Sequence, residues 1–399
     1  MPVGYVEFET NSRYVQCEDA LKEFRRYVYG MGKRFVIVTA CGEITDQVVD
    51  SIRDSFCSPM ESKVDLARGE SNFKYAAALP RLRRYDLEAV DLAYTFLDFE
   101  GKQCNAANIA ELVRQVRDRQ ADVIVGVGGG KVLDLVRAAS LQYPCKVVLV
   151  PTSPATNASG SGLIVLYHQD GTVDKTISMP IFPELVLADL QVLVHASWRM
   201  LVAGIGDAIG TATETEAFWV ASGLDGKILD GSWQGNRIMQ QVILENGRAA
   251  VEAAKSRKLN HAYESVMPYI LNTCGNQRYF RVTFIPHCID KLLLAFDGPR
   301  KLQHGERVGY GVIPQMIYQK RPLQEIHDYI DFCMDIGLPV TFEDLGLHTV
   351  SEEALWGAAE QLLRENRILQ THPFPFTAEM FVANMFAGER LVRRYLTEK

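Results

Sequence analysis

The distribution of apolar and polar positions along the chain changes character once, near residue 197. Before that point, short β-branched runs alternate with helical patterns. RFVIVTA (34–40) reads as a buried strand and ITDQVVDSIRDSF (44–56) as a helix. ADVIVGVGGG (121–130) reads as a strand running into a glycine turn, KVLDLVRAASLQ (131–142) as the helix after it, and KVVLVPTS (146–153) as the next strand. Strand–helix–strand alternation implies a parallel sheet with crossover helices, an α/β layer structure. LIVLYHQDGTVDKTISM (163–179) has two extended runs about Asp170-Gly171, the pattern of a β-hairpin, and ELVLADL (184–190) adds one more strand.

From SWRMLVAGIGDAIGTATETEAFWV onward the period is 3.6, and ALWGAAEQLLREN (354–366) and AEMFVANMFAGERLVRRYL (378–396) are amphipathic helices. Few strand candidates remain after residue 200. The expected architecture is therefore an α/β domain over residues 1–195 followed by an all-α domain over 196–399. The polar, charged segment of about residues 58–95 receives no element.

Composition sets bounds on partners. At ~100–200 residues per domain, 399 residues suit two domains with ample cores. A net charge of −7 gives no basic field, so neither nucleic acid nor an anionic membrane is an expected partner. The opening MPVGYVEFET has neither a basic region nor an apolar run, so no secretory leader is expected. No apolar run approaches the ~18 residues of a spanning helix. The 8 cysteines form no C-x-x-C pair, which fits a reducing compartment, and the cytoplasm is the expected location.

GVGGGKVLD (126–134) is not a phosphate loop of the G-x-x-x-x-G-K-[ST] type, because Val132 stands where a hydroxyl is needed. It also misses G-x-G-x-x-G, since Lys131 occupies the last glycine position. What remains is a strand, several glycines and a helix N-terminus. There the free N–H groups and the dipole favour an anion, and glycines let the backbone approach it. Three consecutive glycines and a lysine exceed what a tight turn requires. PTSPATNASGSG (151–162) follows the next strand, at the carboxyl end of a parallel sheet where ligands bind.

Three residues carry the candidate chemistry. Asp207 lies among small apolar residues in LVAGIGDAIGTATE (201–214), where an ionised carboxylate is costly unless paired or coordinated. His287 and His304 stand 17 positions apart in HCIDKLLLAFDGPRKLQHGE. Alone, each has an ordinary reading as a cap, a core histidine or a helix-end histidine. Together they offer three ligands with one position open, the arrangement of a catalytic divalent site. Imidazole and carboxylate suit Zn²⁺ or Fe²⁺ and disfavour soft copper. Glu306 stands two residues after His304, placed either to orient it or to form a surface ion pair.

The motifs YVQCEDALKEF, GVGGGKVLDLVRAAS, VLVPTSPATNASGSGLIVLY, LVAGIGDAIGTATETEA and HCIDK…QHGERVGYG occur in order through most of the chain. With them the chain resembles the iron-containing alcohol dehydrogenase superfamily, and most its glycerol dehydrogenase branch. That resemblance implies a dehydroquinate synthase-like fold, with a Rossmann-like parallel-sheet domain before a helical one. It implies that Asp207, His287 and His304 bind one divalent cation, zinc ahead of iron, and form the catalytic centre. It assigns NAD(P) contacts to Gly128, Gly129, Gly130 and Lys131, then to Thr152, Ala155, Ser161, Leu163 and Tyr167.

Two departures from the resemblance shape the expected function. The polyol-contacting aspartate of glycerol dehydrogenases is Asn157 here, and the acidic residue usual after the second strand is replaced by Thr39-Ala40-Cys41-Gly42. A missing carboxylate removes repulsion of a 2′-phosphate, so NAD and NADP both stay open. The expected activity is interconversion of a small alcohol or polyol with its carbonyl, in a homo-oligomer. A hydroxycarboxylate (2-oxo acid) reductase is the alternative, because Asn157 removes a charge that repels a carboxylate. A glycerol-1-phosphate dehydrogenase-like or dehydroquinate synthase-like protein would need a basic cluster for the substrate phosphate, and none stands in 151–162 or 201–214.

Overall fold

Six parallel strands form the sheet: β1 (Arg13–Cys17), β2 (Arg34–Thr39), β3 (Ala93–Asp98), β4 (Val123–Gly128), β5 (Lys146–Pro151) and β8 (Leu185–Asp189); the sequence pattern marks four of them, and β1 and β3 are additions. Their spatial order is β1-β8-β5-β4-β2-β3. A separate antiparallel hairpin pairs β6 (Leu163–Tyr167) with β7 (Val173–Ser178), turning at Gly171 with φ 86°. This computed structural model describes residues 12–40, 43–57, 92–99, 102–179, 182–221, 223, 232–272, 284–366, 369 and 375–399. The charged segment 58–91, with Cys41, Gly42 and Cys274, lies outside the described residues. The strand β3 falls at the end of the stretch that received no element from sequence.

β-branched residues make these strands because both faces of the sheet are covered. Phe35 and Ile37 of β2, with Val123, Val125 and Val127 of β4, face one core, which contains Phe24, Val48 and Ile52 from the preceding helices. Val36, Val38 and Ile124 face the other, against Leu112 and Val136 from the helices Ala106–Asp118 and Gly130–Ser140. The chain runs outward from β2 to β3, then returns to β4 and proceeds through β5 to β8. This reversal opens a crevice at the carboxyl end of β4, where a doubly wound sheet binds ligands. The glycine turn leaves from that end.

After Asp189 every described element is helical. Helix Trp198–Ala221 is apolar all round and buried along most of its length, as a central helix must be. It packs on His304–Tyr318 backbone to backbone at Gly206 and Gly305. A Cβ on Gly206 would stand 2.2 Å from the carbonyl oxygen of Gly305, and one on Gly305 only 1.8 Å from that of Ala203. Gly204, on another side of the same helix, faces the carbonyl oxygen of Pro154 at 1.9 Å by the same measure. The loop after β5 therefore rests directly on this helix.

Glycine is required at these contacts and dispensable elsewhere. Gly305→Ala should destabilise the protein by about 1–3 kcal/mol or more, the usual cost of overpacking, because the obstructing atom is backbone. Gly357 is exposed in helix Glu352–Glu365, and a Cβ there meets nothing within 4 Å. Gly357→Ala should stabilise by roughly 0.8–1 kcal/mol through helix propensity. Urea unfolding of both variants checks the opposite signs.

Candidate metal centre

Asp207 projects from the middle of helix Trp198–Ala221, His287 from the first turn of Ile285–Leu293, and His304 opens His304–Tyr318. The close helix contact at Gly206 and Gly305 brings the three together, with one ligand atom of each lying within 4.8 Å of the others. The Oδ1 of Asp207 is 3.4 Å from Nε2 of His287 and 3.7 Å from Nε2 of His304. A cation about 2.0–2.1 Å from two such atoms in tetrahedral geometry leaves them roughly 3.3 Å apart. Asp207 Oδ1 and His287 Nε2 are both buried and make no hydrogen bond. Buried polar atoms are ordinarily paired, and two acceptors aimed at one point fit a shared cation.

The opposite edges of the two imidazoles are held by carboxylates. Glu214 Oε2 lies 2.6 Å from Nδ1 of His287, while its Oε1 accepts from the backbone N–H groups of Phe284 and His287 at 2.9 and 2.8 Å. Asp290 Oδ2 lies 3.0 Å from Nδ1 of His304, and its Oδ1 accepts from Arg307 Nε at 2.7 Å. A proton kept at each Nδ1 leaves each Nε2 lone pair facing Asp207, the arrangement that orients histidine ligands and raises their basicity. Around the two histidines stand three buried carboxylates, Asp207, Glu214 and Asp290, with the buried guanidinium of Arg307 bound to Asp290. The excess of two negative charges matches a divalent cation.

The same charges govern protonation in the metal-free chain. Burial pushes the imidazolium of His304 down, but Asp290 and Asp207 outweigh it and lift its pKa to about 10. Burial likewise opposes ionisation of Asp207, yet the two imidazoles facing it hold it well below the usual carboxylate range. Protons thus occupy the place for which the donor set is shaped.

Glu214 and Asp290 were not singled out from sequence, though spacing carried a signal. Glu214 follows Asp207 by seven residues and Asp290 follows His287 by three, each on one face of a helix. Glu306 was expected to orient His304 or to form an ion pair, and it does the second. Two residues along a helix point to opposite sides. Glu306 instead pairs with Arg199 at 2.8 Å and accepts from the Gln303 backbone N–H at 2.7 Å, capping its own helix.

The residues expected to hold a nicotinamide cofactor gather at the crevice. Gly128 ends β4 with φ 155°, and Gly129 caps helix Gly130–Ser140 with nothing within 4 Å of a built Cβ, leaving open space above the helix N-terminus. A Cβ on Gly130 would meet Thr156 and Ala158 at 3.4 Å, so the turn lies against the loop that holds Ala155. Thr152 N–H donates to the Gly128 carbonyl at 3.1 Å. Ser161 Oγ accepts from the N–H of Leu163, the first residue of β6, at 3.1 Å. Tyr167 ends that strand with the Lys131 ammonium 5.2 Å above its ring. Burial, helped by the nearby charge of Asp134, pushes the Tyr167 hydroxyl up to about 12. Asn157 is buried, and its Nδ2 has no hydrogen-bond partner. At the end of β2, Thr39 is buried with its hydroxyl 3.4 Å from the Leu97 carbonyl oxygen.

Comparison with known proteins places this arrangement in context. The family description "Iron-containing alcohol dehydrogenase" matches residues 70–190. A glycerol dehydrogenase of Thermotoga maritima is 31% identical over 300 residues, covering 73% of this chain and 81% of that one. One from Citrobacter freundii is 28% identical over 299 residues, covering 74% and 81%. The crystal structure of glycerol dehydrogenase from Schizosaccharomyces pombe superposes with a TM-score of 0.80 at 23% identity, covering 98% of this chain and 92% of that one.

Two outcomes test the centre. Asp290→Asn should weaken divalent-cation affinity about 10–100-fold, measured by chelator competition, because the amide no longer anchors His304 as a charged acceptor. Unchanged affinity would remove Asp290 from that role. A His304 pKa raised from 6.5 to about 10 in the metal-free chain stabilises the fold fully below pH 6.5, and this stability is lost as pH rises through about 10. Metal-free protein should therefore lose denaturant resistance on the alkaline side, while apparent metal affinity rises with pH over the same range. Affinity independent of pH would contradict it.

Proposed function

This chain belongs to the iron-containing alcohol dehydrogenase family, in its glycerol dehydrogenase-like branch, and is an alcohol oxidoreductase; we propose that it uses a nicotinamide cofactor and one divalent cation. The reading assigns the cofactor to residues 1–195 and the cation to Asp207, His287 and His304 within 196–399. Its principal support is the pair of buried, unpaired atoms, Asp207 Oδ1 and His287 Nε2, aimed with His304 Nε2 at one point. Two imidazoles and a carboxylate accept Zn²⁺ and Fe²⁺ alike, and metal analysis of the purified protein, with zinc expected, decides between them.

A cation at this centre supplies the charge that lowers the pKa of an alcohol hydroxyl, and a nicotinamide supplies the hydride acceptor. The protein's own residues do the rest. Asp207 and the two histidines bind the cation, with the Nδ1 protons kept at Glu214 and Asp290. Gly128, Gly129, Gly130 and Lys131 offer a cofactor pyrophosphate an open helix N-terminus and a positive charge. Thr152, Ala155, Ser161, Leu163 and Tyr167 line its approach. The Nδ2 of Asn157 is a buried donor without an acceptor, and a substrate oxygen provides one.

That donor also favours a second reading, a hydroxycarboxylate or 2-oxo acid substrate. A carboxylate side chain at this position would stand beside a substrate carboxylate at a cost on the order of 4 kcal/mol for charges ~4 Å apart at an effective dielectric of 20. Asparagine removes that charge and adds an N–H.

Gly129→Val should weaken nicotinamide binding at least about tenfold by calorimetry and leave metal content intact, since its new side chain meets open space and not protein. Full cofactor affinity in that variant would refute the pyrophosphate placement. Asn157→Asp should shift kcat/KM toward glycerol and 1,2-propanediol and away from 2-oxobutyrate by roughly two to three decades, followed at 340 nm with both NADH and NADPH. A fixed ratio between diol and oxo acid would show that Asn157 does not set substrate class.

A further inference from the structure

Arg137 takes no part in the metal centre or the glycine turn, yet its side chain has no exposed surface. It lies seven residues beyond Gly130 on helix Gly130–Ser140, about 10 Å along the axis at 1.5 Å per residue. Its Nη1 donates to the Ala158 carbonyl at 2.8 Å, to the Leu163 carbonyl at 3.0 Å and to Asp134 Oδ1 at 3.1 Å. Its Nη2 donates to the Ser161 carbonyl. Asp134, also buried, accepts from the Val165 N–H through its other oxygen at 3.0 Å. One ion pair on this helix thus grips the segment from Ala158 to Val165 at four backbone points.

Packing alone does not call for this. A buried ion pair has a large desolvation cost, and an apolar side chain of similar volume fills such a space as well or better. The planar fork of an arginine, however, reaches several carbonyls in fixed directions, as the compact ammonium of a lysine does not. What the grip controls is the loop that begins with Asn157. The Gly160 N–H closes a turn onto the Asn157 carbonyl at 2.9 Å, and Asn157 immediately precedes the first gripped carbonyl. On the far side, Ser159 Oγ donates to the Leu271 carbonyl at 2.7 Å.

We propose that Arg137, paired with Asp134, is a positioning residue: it fixes the loop of residues 157–163 relative to the glycine turn at the start of the same helix. The proposal rests on the reading of Asn157 as the substrate's hydrogen-bond donor. The helix then acts as a ruler. Its N-terminus receives the cofactor phosphate and its third turn sets where the substrate amide stands, so cofactor and substrate are held in one register. Displacement by about 1 Å at a reacting centre can cost up to about 10²-fold in rate.

The test uses the metal-loaded full chain, with Arg137→Lys as the main variant and Asp134→Asn as the second. Both should retain metal content and near-ultraviolet circular dichroism. Both should lose about tenfold or more in kcat/KM for the alcohol substrate, mostly through KM, at a temperature where each is fully folded. Asn157→Ala added to Arg137→Lys should cost less than about twofold further, while Asn157→Ala in the native background costs about tenfold, since both act through one loop. A lowered melting temperature with kcat/KM within twofold, or fully additive losses, would overturn the proposal. If Arg137→Lys does not fold, Asp134→Asn carries the same comparison. If Asn157→Ala alone has no effect, the substrate role of Asn157 fails, and the positioning role is then judged on KM in the single variants.

Discussion

The backbone contact between helices Trp198–Ala221 and His304–Tyr318, made at Gly206 and Gly305, sets the geometry on which the candidate site depends. A carboxylate on one helix and an imidazole on the other share a cation only at the separation and register that their helix contact fixes. Any side chain at the crossing would move the helices apart by more than the few tenths of an ångström that coordination tolerates. The same helix seats the loop after β5 through Gly204, so the strand sheet and the histidine centre are referred to one rigid element. Small residues in LVAGIGDAIGTA therefore serve distance, and their apolar character alone says little about them.

Electrostatics complete what packing begins. Two histidines, three carboxylates and an arginine occupy a largely buried space, and each carboxylate has a separate task. Asp207 faces the centre, Glu214 holds His287 together with the start of its helix, and Asp290 bridges His304 to Arg307. The negative excess keeps the centre unsatisfied unless protons or a cation arrive. On the sheet side the logic is different. The glycine turn offers backbone donors and open volume, with the ammonium of Lys131 at its mouth, 5.2 Å from the Tyr167 ring.

Elements with strong local signals were legible in the sequence. Strands β2, β4 and β5 are β-branched runs, β8 is a short apolar one, the hairpin turns at Asp170-Gly171, and the terminal helices have clear periodicity. Strand β3 was not, because AYTFLD follows a charged stretch and sits at a half-exposed edge of the sheet. Asp207, His287 and His304 could be collected as a set from their chemistry and from resemblance. Their partners could not be ranked without the fold. Glu306 is nearest His304 in sequence but points away from it, whereas Asp290 is fourteen residues distant and touches it. Arg137 reads in sequence as one more basic residue on an amphipathic helix, and only the folded loop around it shows three carbonyl acceptors.

The three candidate ligand residues are unequally sheltered: the side chain of His304 keeps 45% of its exposure, against 11% for His287 and 3% for Asp207. An equilibrium constant does not register that asymmetry, but the path of exchange does. If these residues hold an ion, its way in from solvent would pass His304, whose other edge rests on Asp290. The two buried residues would then bear mainly on which ion is preferred, and the exposed imidazole on how readily it exchanges.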